Sequence, residues 1–77
     1  MHAGSAVRIP VHGLGCGGGG ATSIERELVR APGVLRAYVN PATETAYIEY
    51  DPVQTDAGRL AQVIEHAGYR PGPASEA

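Results

Sequence analysis

At 77 residues the chain holds one small domain, too short for most enzyme scaffolds, and a domain of this size buries only about 60% of the surface its unfolded chain exposes. With no Phe and no Trp, its core must come from Val, Ile, Leu, Ala and four tyrosines. The formal charge of -2 is carried by eight acidic residues against six singly scattered arginines, which leaves no basic patch in the sequence and argues against nucleic acid or an anionic membrane as the main partner.

Residues 1–6 are small and polar without periodicity and read as a flexible tail; the domain is expected over 7–71, with a second tail over 72–77. Val7, Ile9 and Val11 alternate with Arg8, Pro10 and His12, the period-2 pattern of a half-buried strand. Pro10 cuts against the strand pattern, because proline cannot donate to a ladder and prefers edges or bulges. Six of the eleven glycines then fall between Gly13 and Gly20, around the only cysteine, Cys16. The spacing of Thr22, Ser23, Ile24 and Glu25 predicts a capping box, in which the Thr22 hydroxyl and the Glu25 carboxylate each satisfy a backbone N–H. Ile24, Leu28 and Ala31 form the apolar stripe of the helix that follows, and Pro32-Gly33 ends it.

Val34 to Asn40 and Thr45 to Tyr50 read as a hairpin around the loop Pro41 to Glu44. Thr55 or Asp56 caps a second helix with Leu60, Val63, Ile64 and Ala67 on one face, and Gly68 stops it. Tyr69-Arg70 starts a last short strand, cut off by Pro71 and Pro73. The order β-α-β-β-α-β predicts an α+β, ferredoxin-like sandwich with both helices on one face of a four-stranded antiparallel sheet. That topology places the glycine run, the Pro41–Glu44 loop and the Gly68-Tyr69 junction at one end, so Cys16, Tyr69 and His66 become candidates for one locality.

The chain resembles the heavy-metal-associated domain, the metal-binding module of copper chaperones and of the N-terminal regions of metal-transporting ATPases. The resemblance runs from about Val7 to Arg70. It rests on Gly13-Leu14-Gly15-Cys16, on Ile24-Glu25 with Leu28, on Pro32-Gly33-Val34 and Tyr38-Val39-Asn40, on Ala46 through Pro52, and on Leu60 with Ile64 through Tyr69. Family members carry Gly-Met-x-Cys-x-x-Cys, whose two thiolates suit a soft ion such as Cu(I). In this chain Leu14 stands for the Met, and Gly19 stands three residues after Cys16 where the second Cys belongs. The loop is also one residue longer than usual, so counting back from Ile24 puts that second ligand at Gly20 instead.

The resemblance implies a metal-binding module with Cys16 as its remaining ligand, Cu(I) or another soft heavy-metal ion as its cargo, and a metal-transporting ATPase or a second copy of the chain as partner. A second chain, glutathione or an imidazole would then supply the other ligand. The alternative is a degenerate domain that has lost its metal and works as a protein–protein interaction module, with Cys16 an unliganded thiol. Tyr69 matches a tyrosine that bacterial members set beside the metal loop, and equally reads as a core aromatic packed on the first helix. His12, His66 and His2 are weighed as ligands against plain surface roles; for His66, proximity to a helix C-terminus is sufficient reason.

Gly13 to Gly18 formally satisfies G-x-G-x-x-G, but a glycine run matches that pattern almost automatically and the chain lacks the further parallel strands of a dinucleotide fold. Binding of a small anion by the backbone N–H groups remains as a third reading. No constellation of nucleophile, base and acid points to catalysis, so the domain is read as no enzyme. A single Cys, with no signal peptide, lipidation motif or long apolar run, predicts a reducing, cytoplasmic setting without membrane insertion.

Overall fold

The computed structural model describes residues 4–14 and 20–76. The chain forms β1 (Ser5–His12), α1 (Gly20–Arg30), β2 (Val34–Asn40), β3 (Thr45–Tyr50), α2 (Ala57–His66), β4 (Arg70–Pro71) and β5 (Ser75–Glu76). The sheet is antiparallel in the order β2-β3-β1-β4, and β5 also pairs with β1. This is the expected ferredoxin-like sandwich with one short strand added.

The alternation in β1 sorts its residues by face. Val7, Ile9 and Val11 are buried, while Arg8 and His12 are exposed. From β2 and β3 come Val39, Ala46 and Ile48; Ile24 and Leu28 of α1 and Leu60 and Ile64 of α2 close over them. Each fully buried aliphatic side chain contributes roughly 1.5–3 kcal/mol relative to exposure, which is how a core without Phe or Trp holds the two layers together. Helices thus cover one face of the sheet and leave the other open.

Three local features position the layers. The hairpin has the expected limits, with Val34–Asn40 and Thr45–Tyr50 joined by residues 41–44. Asp56 caps α2, its Oδ1 accepting from the Arg59 N–H at 2.9 Å. At the other end of α2 the Tyr69 N–H donates to the Ile64 carbonyl and the Gly68 N–H to the Glu65 carbonyl, with Gly68 at φ +97°, so the helix closes in a Schellman motif that aims Tyr69 away from its axis.

Two expectations change. α1 begins at Gly20, so Thr22 lies inside the helix and is exposed, and Glu25 is not a capping-box residue. Its Oε2 instead accepts the backbone N–H of Val39 on β2 at 2.9 Å. β2 is an edge strand, and a carboxylate that reaches its outward N–H satisfies a donor the ladder leaves over.

The second change lies at the chain ends, where β1 already starts at Ser5 and residues 75–76 pair with Val7 and Arg8. Between β4 and β5 the Gly72 N–H donates to the Pro10 carbonyl at 2.7 Å. Residues 70–76 therefore run along β1 as one interrupted edge, broken where Pro71 and Pro73 have no N–H to give.

Candidate metal centre

The loop that carries the only cysteine joins β1 to α1. Cys16 and Gly15, Gly17, Gly18 and Gly19 lie outside the described residues, as does His2. What the structure gives is the frame at both shoulders of the loop.

On the β1 side, Gly13 leads into Leu14, whose side chain is buried at 3% exposure and joins the core. An apolar anchor at this position ties the start of the loop to the protein interior, whatever the loop holds. The α1 side opens with Gly20, also buried. Helix N-termini present unpaired N–H groups and a partial positive charge, which favour an anionic ligand such as a thiolate nearby.

Tyr69, sent out by the Schellman turn, spans the two shoulders. A Cβ built on Gly13 would lie 3.6 Å from its Cδ1, and one built on Gly20 would lie 2.6 Å from its hydroxyl oxygen and 3.6 Å from Leu14 Cδ2. The half-buried ring also packs against the core, so the shoulder position and the core-packing role belong to the same residue.

The hairpin loop closes the same end of the molecule, because the Val11 N–H donates to the Glu44 carbonyl at 2.7 Å. The sequence-based grouping of loops therefore holds for Gly13, Gly20, residues 41–44 and Tyr69. Two histidines are described, one at the end of β1 before Gly13 and one at the end of α2. His12 is exposed on the open face of the sheet opposite Arg70, with its Nε2 3.4 Å from where a Gly72 Cβ would be. His66 lies on the groove between the helices, together with Ser23, Glu27 and Val63. Among the described residues, no group of three or more His, Cys, Asp or Glu side chains gathers as a metal site.

One carboxyl is held below its ordinary range, and it lies at the other end of the sheet. The Gln54 side chain and the Val53 N–H both donate to Asp51, lowering its pKa against a small opposing effect of desolvation. Two features of the loop frame were not read from the sequence: the confinement of Gly20 under the Tyr69 hydroxyl and the reach of Glu25 to β2. A glycine at a helix start, where side chains are ordinarily welcome, is the one signal that pointed to the first. The second has no sequence signal, because its partner lies 14 residues away.

A family model of the heavy-metal-associated domain matches residues 8–70. A copper-exporting P-type ATPase of Bacillus subtilis is 41% identical over 63 residues, which cover 82% of this chain and 8% of that protein. The probable copper-transporting ATPase HMA5 of Arabidopsis thaliana is 44% identical over 62 residues, 80% of this chain and 6% of that protein. The chain thus spans less than a tenth of these relatives. Among solved structures, the water-soluble region of the P-type ATPase CopA from Bacillus subtilis superposes with a TM-score of 0.82 at 38% identity, over 92% of this chain and 47% of that one. The CopZ metallochaperone gives 0.81 at 27% identity, over 87% and 98%. No helix among the described residues is long and apolar enough to cross a membrane. With its matched span running from β1 to the start of β4, and a glycine-rich loop in between, this chain belongs to the heavy-metal-associated domain family.

Proposed function

We propose that the chain binds a soft monovalent ion, Cu(I), through the Cys16 thiolate, and passes it to or from a metal-transporting ATPase or a second copy of itself in a reducing, cytoplasmic setting. The observation that carries this reading is the position of the one thiol. Cys16 falls inside the matched span, in the loop framed by Leu14, Gly20 and Tyr69, and relatives matched over about four fifths of the chain are named as copper-exporting or copper-transporting ATPases.

The donor set fits the cargo in kind and falls short in number. Thiolate sulfur suits a soft ion, but the chain offers one thiol, so the second ligand comes from outside it. Two chains that each contribute Cys16, or one chain with glutathione, complete a two-sulfur site. The chain's own residues supply the apolar anchor at Leu14, the positive end of α1 and the Tyr69 ring at the rim. The positive end of a helix favours the charged form of a thiol that precedes it.

Titration of the reduced chain with Cu(I) against a competing chelator tests the reading. The wild type should bind with an apparent affinity that rises with protein concentration or with added glutathione, and Cys16→Ala should lose that binding. Equally weak binding by both proteins at every concentration would overturn the proposal in favour of a domain that has lost its metal.

A further inference from the structure

The net charge of -2 hides a segregation that only the fold shows. Residues paired across an antiparallel sheet point to the same side. The pairs Tyr38–Tyr47, Tyr47–Arg8 and Arg8–Ser75 therefore form one row across β2, β3, β1 and β5, on the face away from the helices. Arg36 pairs with Glu49 on that face, and Arg70 pairs with the exposed His12. The open face thus holds three of the six arginines and one of the eight acidic residues, a charge of +2, which leaves -4 over the rest of the molecule. Among the described residues the recorded ion pair is Arg30 with Glu27, on α1, so the three arginines of the sheet keep their charge for a partner.

The centre of the face is aromatic. Tyr38 and Tyr47 stack with ring centroids 6.2 Å apart and planes inclined by 22°, and Tyr38 is 53% exposed. Beside them Arg8, Pro10, Thr45, Tyr47 and Ser75 line a shallow pocket of about 220 Å³. Tyrosine and arginine together are the residues that most often anchor protein interfaces, since each offers a large contact area with a polar end.

We propose that this open sheet face is a docking surface for an acidic protein segment. Charge selects the occupant. A second copy docked face to face by a two-fold axis would oppose +2 to +2. A long polyanion would meet a molecule whose remaining surface carries -4, which opposes approach over several ångströms. A local cluster of carboxylates around an apolar or aromatic side chain matches both the arginines and the tyrosine pair. The surface lies on the side of the sheet opposite the core and does not depend on Cys16.

Amide spectra of the full, nitrogen-labelled chain, titrated at low salt with a short glutamate–tyrosine copolymer, test the proposal. Signals of Arg8, Arg36, Tyr38 and Tyr47 should move, and added salt should weaken binding. An exposed charge pair is worth a few-fold in affinity, so reversing two in the Arg8→Glu, Arg36→Glu double variant should weaken binding about tenfold or more, and Tyr38→Ser should weaken it independently. Both variants alter exposed positions and should melt near the wild-type temperature. Shifts confined to the helices, or variants that bind the copolymer as the wild type does, would overturn the proposal. So would tighter binding of oligothymidylate than of the copolymer, or a salt-sensitive dimer of the free chain that the same variants abolish.

Discussion

Replacing Gly20 by Ala tests whether the start of α1 and the Tyr69 ring compete for one space. In a helix Ala is favoured over Gly by up to about 1 kcal/mol, and the new methyl would also gain ordinary contact with Leu14 Cδ2 at 3.6 Å. Against this, the built Cβ stands 2.6 Å from the Tyr69 hydroxyl, about 0.8 Å short of the 3.4 Å at which ordinary contact begins. A half-buried ring packed against the core has to withdraw, and overpacking of this kind costs roughly 1–3 kcal/mol.

Gly20→Ala should therefore be neutral to destabilising by ~2 kcal/mol in the wild type. In a Tyr69→Phe background the nearest ring atom is Cζ at 3.3 Å, a shortfall that small shifts absorb, and the same substitution should be neutral or stabilising. Denaturant unfolding of the four proteins gives the coupling, expected at ~1–3 kcal/mol, and each 1 kcal/mol corresponds to about 4–8 °C in Tm for a domain of this size. If Gly20→Ala changes stability equally in both backgrounds, within about 0.5 kcal/mol, the ring and the glycine do not share space and the description of the loop frame is wrong.

Gly33 has φ +86°, and a Cβ there would meet Gln54 Cβ at 2.8 Å and Thr55 Cγ2 at 2.9 Å, whereas Gly68 at φ +97° faces open space. Gly33→Ala should cost roughly 2–4 kcal/mol and Gly68→Ala about 1–2 kcal/mol, and equal costs in thermal melts would refute the steric part of this account. Glu25→Ala should destabilise by ~1–2 kcal/mol and speed exchange of the Val39 amide specifically; unchanged exchange at Val39 would remove the edge-strand role of Glu25. Because the folded pKa of Asp51 is lowered, its contribution is fully present above its unfolded value near ~3.9 and is lost as pH falls through the folded value. Stability of the wild type should accordingly fall more steeply with acid below about pH 4 than that of Asp51→Ala, and parallel acid profiles would contradict the assignment. On the proposed function, Gly19→Cys should convert Cu(I) binding to one ion per chain, independent of protein concentration; a stoichiometry that still varies with concentration would count against Gly19 as the vacant ligand position.

Where a local rule had no rival, the sequence was sufficient. The hairpin limits follow from two β-rich runs around Pro41 to Glu44 and the end of α2 from Gly68, whereas of the two caps open to α2, Thr55 and Asp56, the structure selects Asp56. A cap at Thr22 starts α1 three residues late, because Thr22 and Glu25 satisfy a capping pattern while glycine gives no helix signal. Tertiary structure decided otherwise, since the β2 edge had an N–H to satisfy and Glu25 was within reach. The pairing of Ser75 and Glu76 was equally hidden. Two prolines argue locally against a strand, and only the uncovered second edge of β1 accounts for the pairing. Near the loop between β1 and α1, topology alone predicted that Tyr69 would join Gly13 and Gly20, but not that its hydroxyl would stand 2.6 Å from a Cβ built on Gly20.

That confinement bears on why the loop holds one thiol. Counting back from Ile24 puts the missing second ligand at Gly20, and there even a bare Cβ would fall 2.6 Å from the Tyr69 hydroxyl. A cysteine at 20 would have to displace the ring, and displacing the ring would loosen its packing on Gly13 and the core. Tyrosine at 69 and glycine at 20 are therefore sterically coupled: with the full phenol in place, a side chain on the first residue of α1 has to shift the Tyr69 hydroxyl. The position counted forward from Cys16, Gly19, offers no donor either. On the proposed reading, the chemistry of the loop is thus reduced to Cys16 and a donor from another molecule. It follows that Tyr69→Phe together with Gly20→Cys should fold where Gly20→Cys alone is strained.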